Sequence, residues 1–353
     1  MLFLSGKDFN EKYKNVTLVK LTTETENHHN FQFKTGLNTS YITINPKDEY
    51  GPGGLYFCEF KDFPMWLQRY ENGCEDNIFI RYVTIPDDAK IYIGNCLFKA
   101  NKFILSERKL IEDLDEWNNK SFRENAFKLN EKSLTYVKNP PPGICLEAVT
   151  QKGLALKYVN KQTPEICLAS VKQDGHALEF VKEQTDEICL AAVKRSGHIL
   201  WRVKNKKYNI CLSAVKRCGE SIGSVKKMSY KLCLEAVKQS GWALEKIAEK
   251  KFIKGTDFTK KQIEEICLAA INTDVEALQY VEKHKFTGTG LTAAQKEKIR
   301  LAAINKDPKA FRYVHNKTYD ICLAVVKKDP EYIHGLHYEY KYKIAQELGI
   351  NVH

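Results

Sequence analysis

Cys145, Cys167, Cys189, Cys211 and Cys233 stand 22 residues apart, and the chain around each repeats with it: Ile144-Cys145-Leu146-Glu147-Ala148-Val149 returns as Ile188-Cys189-Leu190-Ala191-Ala192-Val193. A strict period of this length restricts the fold to a stack of small, equivalent units. Two interrupted units follow at Cys267 and Arg300, after insertions of 12 and 11 residues, and a last one lies at Cys322. Leu134, Tyr136 and Val137 fall one period before Leu156, Tyr158 and Val159, so a degenerate unit begins near Phe122 and the array has about nine units.

Within a unit, Ile and Cys meet Ala and Val three and four residues on, which places them on one helix face. Gly153, Gly175, Gly197, Gly219 and Gly241 recur eight residues after each cysteine, where a left-handed glycine is expected to end the helix. A second apolar set follows, as in Ala177, Leu178 and Val181, and Thr163-Pro164 and Thr185-Asp186 then supply the N-cap and first turn of the next unit. Each unit is predicted to be a helix, a tight turn and a second short helix. Such a hairpin is too small to stand alone, and stacking makes one continuous core. The prediction for residues 122–353 is therefore an all-α solenoid of short helical hairpins. The repeated cysteine is expected to be a small buried residue. No CxxC pair occurs, and thiols one layer apart do not converge on an ion, so no metal site is expected.

Residues 1–105 show no repeat and read mostly as strands, at 17–22, 41–45, 54–60, 78–85 and 98–105, with a helix near 62–70. This is an α+β N-terminal domain, mostly strands. Residues 106–121 are acidic and serve as a linker or connecting helix. Gly51-Pro52-Gly53-Gly54 signals a turn before the strand at Leu55-Tyr56-Phe57.

The chain has 353 residues and a net charge of +11, and that charge is unevenly placed. Residues 1–120 carry −3 and residues 121–353 carry +14. An acidic partner would therefore be drawn to the repeats. Lys172, Lys194, Lys216 and Lys238 share one repeat position, and Lys182, Lys204 and Lys226 share another. With Arg195, Arg202, Lys206, Lys207, Arg217, Lys227 and Lys231 they thicken the middle of the array into one positive region, either a groove or ridge for an acidic protein or nucleic acid, or a solvated face. Seven of the eleven cysteines hold the repeat position, which reads as reduced thiols and not as a secreted disulfide scaffold. No apolar run approaches the ~18 residues of a spanning helix, and the N-terminus lacks a basic leader. An intracellular, non-membrane protein is expected.

The pattern Ile-Cys-Leu-x-Ala-Val followed by Gly-x-Ala-Leu-x-x-Val resembles a repeat family of uncharacterised function found in giant viruses of amoebae and in intracellular bacteria. That resemblance implies helical hairpins and a viral setting, with the host cytoplasm or viral factory as the place of action. Residues 29–38, Gly53-Gly54-Leu55-Tyr56-Phe57 and Ile80-Arg81-Tyr82-Val83-Thr84-Ile85-Pro86 resemble the N-terminal module of giant-virus repeat proteins. The same stretches invite comparison with ADP-ribosyltransferases. On that resemblance His28 or His29 contacts the ribose of NAD and Tyr56 stacks on its nicotinamide, while the strand at 78–86 supplies no carboxylate for the reacting carbon. The two expectations are a non-enzymatic scaffold or adaptor, most simply for a protein partner, and an active or degenerate transferase domain delivered by the repeats.

Overall fold

The computed structural model describes residues 3–28, 30–45, 53–67, 77–95, 97–252, 257–282 and 289–352. It divides into two units, Met1–Gln173 and Asp174–His353.

The first unit opens with strand β1 (Phe3–Ser5) and helix α1 (Gly6–Lys12). Ser5 caps α1 through the Asp8 amide at 3.2 Å. The remaining strands are β2 (Leu18–Thr23), β3 (Asn27–His28), β4 (Phe31–Gln32), β5 (Gly36–Thr39), β6 (Leu55–Glu59), β7 (Ile78–Thr84), β8 (Lys90–Ile93), β9 (Phe98–Ala100), β10 (Lys102–Leu105) and β11 (Lys109–Leu110). Nine of them form an antiparallel sheet in the order β1-β8-β9-β6-β2-β7-β10-β5, with β11 beside β7, and β3 and β4 make a separate hairpin. Its core is aromatic. Phe9, Phe33, Phe57, Phe98 and Phe103 are buried together, and Phe9 meets Phe98 edge to face at 5.1 Å.

Four strand expectations correspond to β2, β6, β7 and the β9-β10 pair, the last broken at Asn101. Residues 41–45 are not a strand; pairing with β10 is taken by β5 immediately before them. The helix expected near 62–70 is a 3-10 turn at Phe60–Asp62 followed by the four-residue α2 (Phe63–Trp66), and its end lies outside the described residues. The acidic connector carries β11 and two 3-10 turns, at Ile111–Asp113 and Asp115–Asn118.

Helices α3 (Lys120–Leu129), α4 (Pro142–Gln151) and α5 (Pro164–Gln173) complete this unit, and α3 and α4 are each followed by a six-residue 3-10 helix. The open end of this short stack is closed by the sheet domain. Phe122 on α3 packs on Phe60 at 5.5 Å and Trp117 at 5.0 Å, and Asn130 Nδ2 donates to the Pro64 carbonyl at 3.1 Å. A terminal repeat that would expose its apolar face is thus capped.

The second unit continues the same alternation through α6 (Asp186–Arg195), α7 (Tyr208–Arg217), α8 (Tyr230–Gln239), α9 (Ala243–Ile247), α10 (Lys260–Thr273), α11 (Leu278–Glu282), α12 (Ala293–Lys306), α13 (Tyr319–Lys328) and α14 (Tyr338–Leu348). Six-residue 3-10 helices follow α6, α7, α12 and α13, and another, Gly175–Phe180, opens the unit. The two insertions enter here: α10 and α12 reach 14 residues and start with full capping boxes, Thr259 with Gln262 and Thr292 with Gln295.

The recurring glycine has a different task from the one expected. Gly175 and Gly197 open the second helix from a backbone without positive φ, after an extended residue. A Cβ on Gly197 would stand 2.6 Å from the Ala214 carbonyl oxygen, and one on Gly175 would stand 2.8 Å from that of Ala192. Glycine is required by the close approach of the next repeat, not by a left-handed turn. Pro308 and Pro330 hold this slot in late units, at the start of their 3-10 helices, where a missing N–H is no loss. The second helix is 3-10 because only six residues separate the slot from the next extended linker.

All seven repeat cysteines are buried. Five of these thiols also donate backwards into the preceding loop, among them Cys145 Sγ to the Pro140 carbonyl at 3.7 Å, Cys211 Sγ to the Lys206 carbonyl at 3.5 Å and Cys189 Sγ to Gln184 Oε1 at 3.7 Å. Burial pushes each thiol above its ordinary range where a shift is resolved, so these are protonated donors, not nucleophiles. Arginine takes the slot in the first, degenerate unit and in the second interrupted unit. Arg300, 9% exposed, forms a two-pronged pair with Glu282 at 2.7 and 3.0 Å, and Arg123 binds Glu147 at 3.1 Å and the Trp117 carbonyl at 2.8 Å. A buried guanidinium is tolerated only with such partners.

Candidate interaction surface

Lys172, Lys182, Lys194, Arg195, Lys204, Lys216, Arg217, Lys226 and Lys238 are all exposed. Within the second unit they do not form one region. Lys194, Arg195, Lys216, Arg217 and Lys238 sit in the last turns of α6, α7 and α8, as Lys172 does on α5 in the first unit. Lys204 and Lys226 lie in the linkers that lead into α7 and α8. A ten-residue helix is ~15 Å long, so the second unit carries two basic rows on opposite edges of its first helices.

Helix electrostatics distinguish the rows. Cations in a last turn face the negative end of the helix dipole and stabilise it locally. Lys216 has, in addition, Glu235 of the next helix at 4.0 Å. The other row stands at the positive ends, where cations are unfavourable. Around α6 the conflict is relieved by Asp186 and Glu187 in the first turn, with Lys207 paired to Asp186. Neither α7 nor α8 has an acidic residue in its first turn. Among the described residues no carboxylate pairs with Lys204, Lys226 or Lys227.

The α7 start differs from those of its neighbours α6 and α8 in a second way. The N-cap hydroxyls of Thr163, Thr185, Ser229 and Thr318 each accept the amide three residues on, at 3.3–3.4 Å. Lys207 occupies that slot on α7, and no side chain caps the helix. Between the α7 and α8 starts lies a cleft of about 470 Å³ lined by Lys204, Lys206, Lys226, Lys227 and Tyr208 over a floor of Cys211, Val225 and Leu232. Lys206 Nζ is held by the Val203 carbonyl at 2.6 Å. The period alone did not separate this cluster from the other row; the substitution of Lys207 at a Thr/Ser slot was the signal that could have found it.

In the N-terminal domain, His28 and Tyr56 are brought together, ring centroids 6.3 Å apart. Both line a small cavity of about 30 Å³ with Phe31, Tyr41 and Ile42. Lys99, fully buried, places its ammonium 4.8 Å over the Tyr56 ring, which opposes stacking of a cationic nicotinamide on that face. Glu59 is bound to Lys61 at 2.6 Å. His29, Cys74 and Cys96 lie outside the described residues. Among the described residues no group of three potential ligands could hold a metal ion, and no helix is long and apolar enough to cross a membrane.

A family model described as a domain of unknown function, DUF4116, matches residues 143–185, which are α4, α5 and the segments after each. The uncharacterized protein R869 of Acanthamoeba polyphaga mimivirus is 38% identical over 104 residues, 28% of this chain and 70% of R869. Two mimivirus proteins with ankyrin repeat in their names also match: R868 is 30% identical over 28% of this chain and 49% of its own length, and R896 is 33% identical over 26% and 27%. The match thus spans less than half of these two relatives. No solved structure matches the chain. With more than two thirds of R869 covered, the chain belongs to the family of that mimivirus protein, as a giant-virus repeat protein with a strand-rich N-terminal domain ahead of 22-residue helical repeats.

Proposed function

We propose that the protein is a non-enzymatic scaffold or adaptor whose second unit binds an acidic protein partner along the edge formed by the starts of α6, α7 and α8. The observation that carries this reading is the row of exposed lysines standing against the helix dipoles, with no carboxylate among the described residues on Lys204, Lys226 or Lys227. Charges that are unfavourable in the free protein are retained where a partner's anions neutralise them. The setting is an infected cell, in host cytoplasm or viral factory.

Binding of poly-glutamate to the full chain, followed against salt, tests this. It is expected to be measurable at low salt, to fall steeply as salt rises, and to weaken on Lys204→Glu with Lys226→Glu. Absence of binding at low salt removes the reading. The juxtaposition of His28 and Tyr56 favours a second reading, an ADP-ribosyltransferase-like domain that takes NAD. Calorimetric titration of the full chain with NAD is expected to show no binding, and micromolar binding lost in Tyr56→Ala would put the transferase ahead of the scaffold.

A further inference from the structure

We infer that the cleft between the starts of α7 and α8 is a discrete recognition site for a phosphate monoester. This rests on the scaffold reading but names a single pocket and a single chemistry within it. Three independent features converge there. The pocket is concave, about 470 Å³, and none of its lining residues is acidic. Four lysines line it, and three of them, Lys204, Lys226 and Lys227, lack an ion-pair partner among the described residues. Lys207 replaces the capping hydroxyl at the adjoining helix start, leaving the α7 first-turn amides without a side-chain acceptor.

Uncapped amides at the positive end of a helix bind an oxyanion, and the α7 start adjoins the pocket through Lys206 and Tyr208. The charge count selects the ligand. A monoester carries about −1.5 to −2 and presents three acceptor oxygens, which suits a single pocket lined by several lysines better than the single charge of each diester in a nucleic-acid strand. Tyr208, 49% exposed at the rim, offers a hydroxyl and a ring edge to whatever bears the phosphate. A monoester reaches such a pocket either on a phosphorylated side chain of the partner or as a free organic phosphate.

Isothermal titration of the full chain separates these sources with glycerol phosphate, an acidic peptide carrying phosphoserine, and the same peptide unphosphorylated. One site per chain is expected for at least one phosphorylated probe; a peptide that binds about tenfold more tightly than glycerol phosphate assigns the site to a phosphorylated side chain, and the reverse order to a free organic phosphate. Lys204→Glu with Lys226→Glu is expected to weaken binding by at least about tenfold. Lys194→Glu with Lys216→Glu, the same charge change on the opposite edge, is expected to change it less than about twofold. Equal losses in the two variants, no binding of either phosphorylated probe, equal binding of the unphosphorylated peptide, or tighter binding of a short single-stranded RNA would each overturn the assignment. If poly-glutamate still binds when the phosphorylated probes do not, the pocket fails and the scaffold reading stands.

Discussion

The interior and the surface of the repeats keep the same 22-residue period for different reasons. Inside, Cys189, Ala192 and Gly197 are held by space: each is buried against the neighbouring layer, and Gly197 has no room for a Cβ. On the surface, Lys194, Lys216 and Lys238 recur at helix ends that any cation stabilises, while Lys204 and Lys226 recur where the fold gains nothing from them. A periodic residue is therefore not equally informative everywhere. Periodicity inside reports packing, and periodicity on the unfavourable helix end is what we propose a partner explains.

The largest expected effect tests the interior as a whole. Burial raises the repeat thiols, so between pH 9 and the folded value an unfolded chain has released protons that the folded chain still holds. Stability is then fully present below about pH 9 and is lost as pH rises, by up to about 1.4 kcal/mol per thiol per pH unit. Six repeat cysteines, Cys145, Cys167, Cys189, Cys211, Cys267 and Cys322, contribute in this direction. Urea titrations at pH 8 and 10 under reducing conditions are expected to show a steep fall, and a flat profile would mean that the thiols are not buried.

Next comes the buried ion pair at the exceptional cysteine slot. Glu282→Ala removes the two-pronged partner of Arg300 and leaves it only Glu297, at 3.8 Å, and is expected to cost about 3 kcal/mol. Cys189→Asp buries an unpaired charge and should cost several kcal/mol. Thermal melts that moved no more than for Lys194→Asp would put the wrong face inside. Gly197→Ala forces a methyl against the Ala214 carbonyl and is expected to cost about 1–3 kcal/mol. A neutral result would return the glycine to a purely local role.

Smaller effects probe the surface. Lys207→Thr restores the hydroxyl cap seen on α6, α8 and α13, and is expected to stabilise by about 1 kcal/mol. If that variant gains stability and loses affinity for the phosphorylated probes, the same residue serves the ligand at the expense of the helix. Lys194→Asp should stay within about 0.5 kcal/mol.

Much of the repeat architecture was legible beforehand because each unit makes its contacts with its immediate neighbours, so its residues carry the same demand in every copy. The helix faces, the Thr163 and Thr185 caps and the burial of the cysteines followed from spacing alone. Three things did not. The slot glycine's purpose depends on a carbonyl one repeat away, the Arg300 partner comes from the preceding unit's second helix, and the two lysine rows separate only when the helix ends are placed in space. In the sheet domain, β5 and not residues 41–45 pairs with β10, because strand partners there are distant in sequence and register is chosen by the shared aromatic core. The sequence by itself determined the period, the hairpin and the sign of the surface. Tertiary structure decided which cations converge, since electrostatic and packing partners are set by distance in space, which a local pattern does not encode.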